Sequence, residues 1–85
     1  RMNKQEFMGK YYLCLTELDY RDLISRLKEM DFRWVSGEEL TEADLENWNR
    51  LGSSTVLWLS PDGIRFISYS EAKYAGVQVE TWNIR

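Results

Sequence analysis

The residues of this 85-residue chain able to do chemistry are carboxylates, arginines and aromatic rings, because histidine is absent and cysteine occurs once. Without imidazole the chain lacks the commonest general base and the commonest metal ligand. Cys14 has no histidine to activate it as a nucleophile and no second thiol with which to close an internal disulfide. The five glycines, at 9, 37, 52, 63 and 76, are dispersed at expected element boundaries and form no phosphate-cradling loop. Carboxylate-only catalysis, or a magnesium site built from oxygens, would need acids that converge on one point. The acidic cluster is Glu38, Glu39, Glu42, Asp44 and Glu46, and on a helix start its side chains fan apart. The reading is therefore of a non-enzyme with no catalytic residue, no metal and no cofactor.

The same acids admit a second role. Five carboxylates without a base between positions 38 and 46 make a compact negative patch. It serves helix-start electrostatics and solubility, or else offers a contact surface to a basic protein groove. Four Trp and five Tyr exceed what so short a chain easily hides. Half of them suffice for a core, since each buries a large area. The remainder, Tyr69 among them, would leave an aromatic patch on the sheet face away from the helices. Such a patch suits a protein partner, a homodimer seam or base stacking. Arg33 and Arg65, alternating with aromatics on expected strands, are the basic residues that a base-stacking platform would want.

These residues are positioned by elements that the pattern makes legible. Asn3–Lys10 reads as a turn of helix ended by Gly9, and Tyr11–Leu15 as an inner strand, apolar on both faces. Thr16-Glu17-Leu18-Asp19 matches a capping box. Tyr20, Leu23, Ile24, Leu27 and Met30 then form one helical stripe that ends near Met30-Asp31. Phe32–Val35 switches to a period of two and predicts a second strand, parallel to the first through a βαβ connection. Thr41 with Asp44, flanked by Leu40 and Leu45, predicts a capped helix over 42–51. Thr55–Leu59 and Ile64–Tyr69 form a hairpin about Ser60-Pro61-Asp62-Gly63. A short helical turn over 70–76 precedes a last strand, Val77–Trp82. The expectation is a single α+β domain, in the order β-α-β-α-β-β-β, with a mixed sheet and two helices packed on one face. Residues 1–4 and 83–85 are expected to be loose or extraneous ends, with Arg1 a remnant ahead of a natural start at Met2.

Composition bounds the setting. A 44% apolar and 14% aromatic content is that of a folded chain. No apolar run is long enough to span a membrane, no signal-peptide pattern opens the chain, and the lone cysteine suits a reducing compartment, so a cytoplasmic location is expected. A net charge of −3 disfavours a general nucleic-acid binder.

The segment Leu27-Lys28-Glu29-Met30-Asp31-Phe32-Arg33-Trp34-Val35-Ser36-Gly37-Glu38, followed by a strand pair and the Tyr69–Tyr74 segment, resembles a group of small proteins encoded by phages and prophages of Gram-positive bacteria. The likeness covers residues 5–82. It implies a phage or prophage origin and, by the habit of such proteins, the binding and inhibition of host or immune machinery such as CRISPR effectors. The expected partner is then a bacterial protein target. A nucleotide or single-stranded nucleic acid held by the sheet aromatics, Arg33 and Arg65 is the alternative.

Overall fold

The computed structural model describes residues 3–41 and 45–84. Its elements are α1 (Lys4–Phe7), β1 (Tyr11–Cys14), α2 (Glu17–Glu29), α3 (Glu46–Leu51), β2 (Thr55–Ser60), β3 (Gly63–Ser68), α4 (Tyr69–Tyr74) and β4 (Val79–Trp82). The chain is an α+β protein whose four strands form one mixed sheet in the order β3-β2-β1-β4. β1 is antiparallel to β2 and parallel to β4, and β2 and β3 form the hairpin.

The helix α2 follows from its sequence. Thr16 accepts the Asp19 N–H at its N-terminus, and Tyr20, Leu23, Ile24 and Leu27 are fully buried along the predicted stripe. At its other end the Asp31 N–H bonds Lys28 O and the Phe32 N–H bonds Leu27 O, at 3.0 Å each. Asp31 takes φ 67. This is a Schellman cap with Asp31 in the left-handed position usually given to glycine. Leu27 and Phe32 supply the apolar contact that accompanies it.

Alternation along the strands divides the sheet. Tyr12, Cys14, Leu57, Leu59, Ile64 and Trp82 face α2 in the main core, joined by Phe7 from α1. Trp48 of α3 packs beside them, its ring 6.1 Å from that of Tyr20. Trp82 ties β4 to α2, because its Nε1–H donates to Asp22 Oδ2, which also accepts from Arg26 Nε, both at 3.0 Å. Leu13 and Val56 face the other way and are covered by Ala72 of α4. The two helices expected on one face, α2 and α3, do pack there, and the short α4 covers the other face.

Four expectations are corrected. Phe32–Val35 is not a sheet strand. Trp34 makes an isolated parallel bridge to Ile64, and Arg33 an antiparallel one to Glu39. The parallel partner of β1 is β4, reached after the hairpin has been laid on the opposite side of β1, so the first crossover spans most of the chain. Helix α4 starts at Tyr69, one residue before the expected turn over 70–76, because Ser68 is its cap, in a reciprocal capping box with Glu71. Helix α3 begins at Glu46 without a side-chain cap. The anticipated Thr41–Asp44 capping pair lies partly outside the described residues. The start of the chain holds a second capping box, between Asn3 and Glu6.

Candidate functional site

Strand register decides which side chains share a row. Arg65 of β3, Trp58 of β2, Tyr11 of β1 and Val79 of β4 are successive partners across all four strands, a span of about 14 Å at ordinary strand spacing. They lie on the face turned away from α2. The next row on that face, Ile67, Val56 and Leu13, sits under α4. Of the neighbouring row, Tyr11 and Val79 pack against the edge of that cluster, while Trp58 and Arg65 lie outside it. Trp58 and Tyr11 are half-buried and Arg65 is exposed.

Within the row the rings stand against one another. Tyr11 and Trp58 are stacked, with centroids 5.4 Å apart and planes within 8°. The Arg65 guanidinium carbon lies over Trp58 at 5.8 Å from the ring centroid. Since β2 runs between β1 and β3, these neighbours cover opposite faces of the indole. What the row presents outward is ring edge, a phenol and a guanidinium.

The row ends in a hollow on each side. Arg65 lines a groove of about 370 Å³ with Trp34, Val35, Ser36, Glu38, Asn47, Ile64 and Phe66. Tyr11 lines a second depression, of about 400 Å³, with Gly9, Lys10, Gln78 and Glu80, where Lys10 Nζ pairs with Glu80 at 3.5 Å. A continuous band therefore crosses the sheet from the edge of β3 to that of β4.

The anticipated site residues divide. Arg65 forms the β3 end of the band, and Glu38 lines the groove beside it. Arg33 is drawn away: its guanidinium bonds Gly37 O and pairs with Glu39, at 3.3 Å each, within a tight turn closed by the Trp34 N–H to Glu38 O bond. Glu39 is thereby engaged, Glu46 is exposed on the first turn of α3, and Glu42 and Asp44 lie outside the described residues. Tyr69 is exposed at the far end of β3, at the start of α4, with Lys73 Nζ 5.7 Å over its ring. Trp58 and Tyr11, the centre of the band, were legible as surplus aromatics. Their adjacency was not, because it depends on which strands pair.

Chemically the surface offers aromatic rings, a guanidinium and a carboxylate. Among the described residues no three Cys, Asp or Glu side chains gather to hold a metal, and no helix is long and apolar enough to cross a membrane. Burial, reinforced by the Asp19 charge, pushes the Cys14 thiol up to about 12, so it is neutral and enclosed in the main core. The exposed Glu71 carboxyl is held below its ordinary value by the backbone N–H and hydroxyl of Ser68. No family model, curated protein or solved structure matches the chain.

Proposed function

We propose that this is a non-catalytic interaction protein of the phage or prophage type, a binding inhibitor of a bacterial host or defence protein such as a CRISPR effector, acting in the bacterial cytoplasm. The observation that carries the binding role is the Arg65–Trp58–Tyr11 row, half-buried at its rings and exposed at Arg65. Trp, Tyr and Arg are the residue types in which interface energy concentrates, and here they adjoin one another on a rigid sheet rather than on a loop. The groove and depression at its ends supply concave relief, and the exposed carboxylate of Glu38 adds negative charge at the groove. Origin and target class rest on the resemblance of the Leu27–Glu38 segment.

Affinity capture from a bacterial lysate tests this reading. Trp58→Ala and Arg65→Glu, each checked for an unchanged fold by circular dichroism, should lose the partner that the parent chain retains. If both variants hold the same partner at the same strength, the sheet face is not the contact surface. A second copy of the chain on the same face would appear in light scattering as a dimer that Arg65→Glu dissociates.

A further inference from the structure

The groove beside β3 has a floor of unusual chemistry. The Ile64 N–H bonds Arg33 O at 2.9 Å, and Ile64 O accepts the Val35 N–H at 3.0 Å, so both backbone groups of Ile64 point away from β2. In an antiparallel ladder that orientation repeats at every second residue. The N–H and C=O of Phe66, opposite Leu57, therefore point outward as well. One step further on, the Ser68 N–H is taken by Glu71 Oε1 at 2.9 Å. The outer edge of β3 is thus closed at Ile64 by the Arg33–Val35 segment and at Ser68 by the α4 cap. Between them, no hydrogen bond from the described residues reaches the outward pair at Phe66.

Extended backbone already occupies this lane. Arg33–Val35 runs alongside β3 with both bonds made, then leaves at Ser36-Gly37, where the Gly37 N–H turns back to Trp34 O. The lane continues past Phe66 as the groove. Its apolar wall is Trp34 and Phe66, whose rings meet edge to face at 6.5 Å, and its polar rim includes Asn47 and Glu38. Among the described residues the Glu38 side chain bonds Ser36 and is within ion-pair distance of no cation.

We propose that this groove is a strand-addition site for an extended segment of a protein partner. One residue of the segment exchanges both main-chain hydrogen bonds with Phe66, an apolar side chain packs on Trp34, and a Lys or Arg side chain reaches Glu38. A donor and an acceptor presented together by one strand residue match the main chain of another strand, and the uncompensated carboxylate matches a base. The site rests on the proposed function in that it names the form of the partner. It is tested apart from the sheet-face row.

A displayed library of random linear peptides, selected on the full chain, provides the probe. The enriched sequences should pair an apolar residue with a base. Binding, followed by Trp fluorescence, should fall about tenfold or more when Asn47→Trp fills the groove or Glu38→Lys reverses its rim. N-methylation should be disruptive at one backbone position of the peptide, and peptide binding should slow hydrogen exchange at the Phe66 amide. Peptides insensitive to both substitutions but lost on Arg65→Glu would overturn the strand-addition site and leave the sheet-face reading standing. Enrichment of no linear sequence would overturn it too. Failure of the sheet-face reading is seen separately, in lysate capture indifferent to Trp58→Ala and Arg65→Glu.

Discussion

At the scale of single residues, the only cysteine gives the sharpest test of the core. Cys14 is completely enclosed, and the cost of ionising it there raises its pKa from the ordinary 9.0 to about 12. A thiol whose pKa is higher in the folded state contributes stability that is whole below the unfolded value and is lost as pH rises. The window here runs from 9.0 to about 12, with a slope of about 1.4 kcal/mol per pH unit at its steepest. Denaturant melts across that window should show Cys14→Ala losing less stability than the parent, whose lysines and tyrosines titrate equally in both chains. At neutral pH an alkylating reagent should label Cys14 only as fast as the chain opens, since the thiolate is the nucleophile that attacks it. Labelling at the rate of a free thiol would show that this part of the core is not closed.

At the scale of elements, two backbone positions govern the segment after α2. Asp31 holds φ 67 at the helix terminus, a conformation that costs a non-glycine residue of order 1–2 kcal/mol. Asp31→Gly should therefore raise stability by about 0.5–1 kcal/mol, read from the denaturant midpoint. A loss would mean that the aspartate stabilises the cap by more than the strain it carries. Gly63 is the opposite case. A Cβ there would stand 2.7 Å from the Val35 Cα and 2.9 Å from its N, at φ +133. Gly63→Ala must then displace Arg33–Val35 from β3, at a cost of order 1–3 kcal/mol, and should speed exchange of the Val35 and Ile64 amides. Unchanged exchange would show that the bridge tolerates the displacement. These two positions also mark what was legible in the sequence and what was not. The stripe from Tyr20 to Leu27, the Ser60–Gly63 hairpin and the punctuation by glycine come from local physics, and the structure contains each. Phe32–Val35 alternates like a strand, yet it serves as an edge cover through the single Trp34–Ile64 bridge, and Gly63 leaves room for it. The parallel pairing of β1 with β4 joins segments far apart in sequence, so no local pattern announced it. The row across the sheet inherits that limit: Tyr11, Trp58 and Arg65 each sit at a suitable strand position, and only the pairing makes them neighbours.

At the scale of the whole molecule, the arrangement of charge and rings bears on whether the partner is a nucleic acid. Affinity for a phosphate backbone comes from cations that displace condensed counterions. This chain has a net charge of −3, its Arg33 is paired with Glu39, and its Lys10 with Glu80. A base-stacking platform needs aromatic faces open to solvent, whereas both faces of Trp58 are taken, by Tyr11 and by Arg65. Titrating single-stranded DNA, RNA or common nucleotides while following Trp fluorescence should therefore give no saturable change up to about 100 micromolar, the weak end of nonspecific affinity. The half-buried Trp58 makes the assay sensitive, because a base inserted between it and Arg65 would displace the guanidinium and alter the emission. Saturable quenching that weakens with salt and disappears in Arg65→Glu would show that the Arg65–Trp58 contact opens to admit a base, and would make nucleic acid the ligand of this face. An unresponsive emission, together with protein capture that depends on Arg65, is the outcome that the proposed function predicts.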